Sequence, residues 1–112
     1  MTAPPRIWIS NPRPAPGETV RVRAQVEHVM ESGLRADPEG RLRPRDIVRR
    51  FEARLGTMLL LVWEPGIAVA QNPYIEFTFV ARHGGELVLS WVDDRGATQE
   101  VRRPVELKPA AG

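Results

Sequence analysis

His28 and His83 are the chain's two imidazoles, and in sequence they lie too far apart to belong to one local metal motif. A tetrahedral zinc site needs three or four convergent ligands, so both read as solvated histidines, at a strand end and in a turn. The competing reading is a small enzyme or metal-dependent transfer domain that uses His28 with Glu27 or Glu31. Three serines, Ser10, Ser32 and Ser90, stand outside any Gly-x-Ser-x-Gly elbow, which leaves a hydrolytic triad without its nucleophile. Gly84-Gly85 has neither a following helix signal nor a lysine, so it reads as a hairpin turn and not as a phosphate cradle. Asp93 and Asp94 form a possible carboxylate pair, but neighbours on a turn point apart. With no cysteine at all, thiol nucleophiles, disulfides, thiolate zinc sites and iron–sulfur ligation are excluded. The residues therefore assign no catalytic group, no cofactor and no metal.

Charge narrows the partners. Sixteen basic residues face fourteen acidic ones, for a formal net charge of +2. The pI of about 9.9 arises because arginine, which supplies nearly all the basic residues, stays protonated to high pH. From Glu31 to Arg54 seven arginines are diluted by five acids, which is not the stripe that a phosphate backbone selects. Nucleic acid is an unsupported partner. The longest apolar run, Met58 to Trp63, has six residues against the roughly 20 that cross a bilayer as a helix, and the stretch Met1 to Ser10 lacks the apolar core of an export signal. Neither a membrane span nor a signal peptide is expected.

The positioning elements read as strands. Val20, Val22, Ala24 and Val26 alternate with Arg21, Arg23, Gln25 and Glu27, the period of a half-buried strand. Ile7-Trp8-Ile9 reads as an edge strand closed by the proline-rich Asn11 to Gly17. Within Glu31 to Asp46, Asp37-Pro38-Glu39-Gly40 spells a type I turn in a long exposed loop. Ile47 to Leu55 is ambiguous, since Ile47, Val48, Phe51 and Leu55 follow a helical stripe while Ile47, Phe51, Ala53 and Leu55 follow a strand face; the period leans helical. Met58 to Trp63 is short and bounded by Gly56 and Pro65-Gly66, which favours a strand. Ile75, Phe77, Phe79 and Ala81 mark another, Leu87, Leu89 and Trp91 a third, and Ala97 to Leu107 supplies one or two closing strands. About seven short strands separated by turns predict an all-β, immunoglobulin-like two-sheet β-sandwich, one domain over 1–112.

Such a sandwich has one wet face per sheet, yet Met58 to Trp63 is apolar on both, with Met58, Leu60 and Val62 on one side and Leu59, Leu61 and Trp63 on the other. On the strand Glu86 to Val92, Val88 and Val92 share the face opposite Leu87, Leu89 and Trp91. If the two strands adjoin, they build an apolar patch that marks an interaction surface. The alternative is that the Glu31 to Asp46 loop or a terminus folds over it.

Several segments carry a family resemblance. His28-Val29-Met30-Glu31-Ser32-Gly33-Leu34-Arg35, Asp37-Pro38-Glu39-Gly40, Pro44-Arg45-Asp46-Ile47 with Phe51, Asn72-Pro73-Tyr74 with Phe77, and Trp91-Val92-Asp93-Asp94-Arg95-Gly96 together resemble the SoxZ family, a subunit of the bacterial sulfur-oxidation carrier complex. The resemblance spans roughly residues 6 to 105. It implies a non-catalytic immunoglobulin-like sandwich that forms a heterodimer with SoxY, the subunit whose cysteine carries sulfur intermediates of thiosulfate oxidation, with transient contacts to the other enzymes. It also implies a periplasmic location reached in company with SoxY, and it favours a strand at Ile47 to Leu55. Val29 and Val69-Ala70-Gln71 depart from the family pattern. The candidate partner-binding residues are Met30, Glu31, Arg35, Arg45, Leu59, Leu61, Trp63, Asn72 and Tyr74. Among them Met30, Glu31, Arg35 and Arg45 serve equally well to hold the long loop, and Asn72-Pro73 to cap a strand. A self-associating immunoglobulin-like module is the alternative function.

Overall fold

Alternation alone places the first core row. Val20, Val22 and Ala24 on β2 (Thr19–Gln25), and Val26 just beyond it, are all buried, while Arg21 and Arg23 face water. The computed structural model describes residues 3–109 and holds no helix among them; no helix is long and apolar enough to cross a membrane. β2 is the centre of a three-stranded antiparallel sheet, between β1 (Arg6–Ile9) and β5 (Tyr74–Val80). Its inward residues meet β5 in register, Val20 opposite Phe79, Val22 opposite Phe77 and Ala24 opposite Ile75.

The second sheet has the order β4-β3-β6-β7, with β3 (Val48–Leu55), β4 (Met58–Trp63), β6 (Gly85–Asp93) and β7 (Thr98–Val105). Seven strands in two antiparallel layers agree with the expected sandwich. The helical lean at Ile47 to Leu55 is corrected to a strand, and its cause is visible. The register shifts between Val48 and Arg50, so Val48 and Phe51 are both buried although three residues apart. A bulge on a strand thus imitates the i, i+3 spacing of a helix. Downstream of it Phe51, Ala53 and Leu55 point inward in strict alternation with Glu52 and Arg54.

Phe51 ties the two layers together. Its ring lies 5.0 Å from Trp91 of its own sheet and 6.3 Å from Phe77 of the facing sheet, tilted against both, in the range where aromatic pairs attract beyond simple burial.

Two expectations about the outer faces are corrected. β4 and β6 do not adjoin, because β3 lies between them, and its outward Arg50, Glu52 and Arg54 separate Val62 and Leu59 from Val88 and Val92. The ion pairs Arg50–Glu52 at 2.6 Å and Arg102–Glu86 at 2.7 Å fill that face with charge. Nor do Leu59, Leu61 and Trp63 share a side. A second bulge, opposite Ala53 and Arg54, reverses the parity of β4. Leu61 and Trp63 stand beside Ala53 and Phe51 and pack on the core, whereas Leu59 stands beside outward Arg54 and is 45% exposed.

Phe51→Ala should lose about 3 to 5 kcal/mol of stability, because both sheets contribute walls to the resulting cavity. Urea unfolding at neutral pH measures it; a loss below about 1 kcal/mol would show that the two layers do not depend on this ring.

Candidate functional site

The chain's motif residues converge at one end of the sandwich, around His28. Its side chain is only 8% exposed, and its Nε2 lies 3.4 Å from Asp46 Oδ1 and 3.3 Å from Asp93 Oδ2. Asp46 closes the long loop just before β3, and Asp93 ends β6. Three distant chain segments therefore meet at one ring. The expectation of a solvated His28 is overturned, while His83 does sit exposed in its turn. The cluster forms part of the wall of a cleft of about 590 Å³, together with Glu27, Asn72 and Arg95.

Backbone chemistry fixes the ring's orientation. The Met30 N–H donates to His28 Nδ1 at 3.0 Å. An amide nitrogen can only donate, so in the neutral ring the proton resides on Nε2 and is directed toward the two carboxylates. Asp93 Oδ2 accepts from it. Asp46 Oδ1 is buried without a hydrogen-bond partner of good geometry, while its other oxygen faces the Arg95 guanidinium at 3.2 Å. These three groups have the types and proximity of a metal-binding set. In this conformation, however, Nε2 presents a proton where an ion requires a lone pair, and a ligating histidine ordinarily donates through its other nitrogen. The arrangement is that of a hydrogen-bonded latch. The alternative pairing of His28 with Glu27 or Glu31 is also corrected: Glu27 is exposed, and Glu31 accepts from Arg35 at 2.6 Å.

Five of the expected site residues build this latch's surroundings. Met30 is buried, with a left-handed φ of 50°, and its sulfur accepts the Val48 N–H at 3.2 Å. Glu31 exchanges two 2.8 Å backbone hydrogen bonds with Asp46. Arg45 donates through two nitrogens to Asp94 at 2.8 Å each, the bidentate geometry that arginine suits. Asn72, also left-handed, accepts the His28 N–H on Oδ1 and donates its own N–H to the His28 carbonyl. Arg35 caps Glu31 from solvent. The remaining four lie elsewhere. Leu59, Leu61 and Trp63 belong to β4, and Tyr74 is exposed on the outer face of the three-stranded sheet, donating to Glu76.

Asp46, Asp93, Asp94 and Arg95 were not singled out as site residues by sequence reasoning. The signals present were their places in the Pro44-Arg45-Asp46-Ile47 and Trp91 to Gly96 motifs and the reading of Asp93-Asp94 as a possible carboxylate pair. Asp93 and Asp94 do point apart, the first toward His28 and the second toward Arg45.

The family model of sulphur oxidation protein SoxZ matches residues 9–103. The chain belongs to the SoxZ family. Among solved structures, superoxide reductase (neelaredoxin) from Ignicoccus hospitalis is similar with a TM-score of 0.66 at 14% identity, over 96% of this chain and 82% of that one. A hypothetical protein from Pyrococcus horikoshii OT3 is similar at 0.60 and 17%, over 94% and 88%. These likenesses show a shared fold. No curated protein matches the sequence. Membership places the latch within the matched span, so this SoxZ chain holds His28, Asp46 and Asp93 inside the region that defines its family.

His28→Leu should destabilise the protein by about 1 to 3 kcal/mol, since it removes the donor to Asp93 and leaves two largely buried carboxylates facing each other. An unchanged urea midpoint would contradict the latch. The Arg45 hydrogen bonds hold the Asp94 carboxyl below its usual 3.8, assisted by the Ile47 N–H and opposed by burial. A lowered folded pKa gives stability that is complete above the unfolded value and lost as pH falls through the folded one. Asp94→Asn should therefore be less stable than wild type at about pH 6, with the gap narrowing toward about pH 3; a gap that stays constant across that range would contradict the pairing.

Proposed function

We propose that this chain is the non-catalytic subunit of a sulfur carrier heterodimer, which binds a SoxY-type partner and supports the presentation of its cysteine-bound sulfur intermediates to the enzymes of thiosulfate oxidation. Membership of the SoxZ family over 9–103 carries the reading. The chain's composition is in keeping with it: a polypeptide without cysteine has no thiol to hold a sulfur intermediate, so the covalent carrier must reside on another subunit. β4 adds a physical motive. All six of its residues are apolar, and none is fully buried by its own chain, which leaves an edge strand with both hydrogen-bonding groups and greasy side chains to share. The pair would work in the periplasm, this subunit travelling there with its partner.

Co-expression with a SoxY-type protein should yield one 1:1 peak in size exclusion at micromolar concentration, and two separate peaks would overturn the reading. Leu59→Asp places a charge on the exposed part of β4 without touching the core and should weaken the pair by roughly tenfold or more if the edge is in the interface. Undiminished binding by the folded variant would clear β4 of that role.

A further inference from the structure

The outer face of the three-stranded sheet carries chemistry that neither the core nor the latch uses. Alternation turns Arg6 and Trp8 of β1, Arg21, Arg23 and Gln25 of β2, and Tyr74, Glu76 and Thr78 of β5 to one side. The register then sets Trp8 beside Arg23 beside Glu76, and Arg6 beside Gln25 beside Tyr74. Trp8 is 47% and Tyr74 51% exposed, and between the two rings lies a shallow hollow of about 170 Å³ with Arg6, Arg23 and Gln25 in its wall. The hollow is built in advance. The Arg23 guanidinium lies over the Trp8 ring, 4.6 Å from its centroid, a cation–π contact that holds both side chains.

Charge on this face is lopsided. Three guanidinium groups, on Arg6, Arg21 and Arg23, stand against one carboxylate, Glu76, which faces Arg21 at 3.3 Å and Arg23 at 3.7 Å and also accepts from the Tyr74 hydroxyl. One anion thus serves two cations, and Arg6 makes no ion pair among the described residues. Glu27 beyond the end of β2 and Arg82 beyond the end of β5 cancel, and Glu18 is turned to the Asn11 amide and the Ala15 N–H. The face therefore holds an excess of two positive charges, as large as the formal net charge of the whole chain, so the charges elsewhere balance.

We propose that this face docks an acidic surface of a second protein, a transient visitor to the carrier whose carboxylates meet Arg6, Arg21 and Arg23 and whose apolar contact falls on Trp8 and Tyr74. That the visitor is an enzyme of the pathway rests on the heterodimer reading above; its acidic chemistry rests on this face alone. Three arguments select that occupant. Tryptophan, tyrosine and arginine are the side chains that carry most of the energy at protein contacts. The excess charge favours carboxylates and speeds their approach, whereas a second copy would set like charges together, and three cations are too few for the run of phosphates that a nucleic acid presents. Finally, β4 belongs to the other sheet, so this outward face stays open while the apolar edge is occupied.

The test is an NMR titration of the isotope-labelled full chain with a blocked hexaglutamate peptide. At low salt the Trp8 indole N–H and the Arg6, Arg21 and Arg23 Nε–H signals should move together, and Kd should rise roughly fivefold or more at about 300 mM salt. Arg6→Glu with Arg21→Glu leaves the Trp8–Arg23 contact in place and should raise Kd roughly tenfold or more; Trp8→Ala should raise it roughly threefold with an otherwise native spectrum. Shifts that are absent, or spread over arginines of the other sheet, would overturn the inference, as would tighter binding of a thymidine oligonucleotide of equal charge. The same signals separate the two readings when a SoxY-type protein is added without peptide. If the partner binds and leaves them in place, the face is free for a visitor; if they move with binding, the partner covers the face, the inference falls and the heterodimer stands. If the partner fails to bind, the heterodimer reading falls and the peptide titration alone decides the acidic site.

Discussion

A histidine N–H set between two carboxylates is the constraint on which the functional end of this molecule depends. The ring of His28 is almost wholly removed from water, and the two acids that meet it come from the end of the long loop and the end of β6. Burying a carboxylate is costly unless hydrogen bonds or opposite charge compensate. Here compensation comes from His28, from Arg95 at the rim of the cleft and, for neighbouring Asp94, from Arg45. Each partner belongs to a different stretch of chain. The acids are thereby tolerated only when loop, strand and turn are assembled, which couples the shape of the loop to the folding of the sandwich.

That coupling gives a shape to a segment with little core of its own. From Leu34 to Arg45 every residue except Asp37 is exposed, so burial cannot hold it. The root does. Met30 in a left-handed conformation, its sulfur on the Val48 amide, and Asn72 clamping both backbone groups of His28 are strained or unusual local choices, of the kind that persists only when the surroundings over-determine them. Their concentration at this end, away from the regular strands, fits a surface shaped for recognition more than for the chain's own stability.

The sandwich beneath is generic by comparison. Its likeness to a superoxide reductase at 14% identity shows how many unrelated inner faces satisfy the same two-layer packing, and a fold of this kind does not by itself specify chemistry. What separates this chain is what lies outside the layers: an apolar edge strand, charged rows on the outer face of the four-stranded sheet, and guanidinium groups beside two exposed rings on the outer face of the other.

Much of the architecture was legible in the sequence because it obeys local rules. The alternation from Val20 to Val26, the rows at Ile75 to Ala81 and Leu87 to Trp91, and the Asp-Pro-Glu-Gly turn each follow from neighbours within a few residues. Bulges broke that legibility. One made β3 resemble a helix, and another put Leu59 and Leu61 on opposite faces, since a single extra residue reverses every side chain beyond it. The candidate site was legible only as motifs. Met30, Glu31, Arg35, Arg45 and Asn72 could be named, but not that they brace a ring bridging Asp46 and Asp93, because those partners stand 18 and 65 residues from His28. By itself the sequence determined the strands, the family and the lack of a thiol, through periodicity and composition. Only the tertiary structure decided which acids meet His28 and which leucines stay wet, because those outcomes depend on sheet order and register, which no local pattern contains.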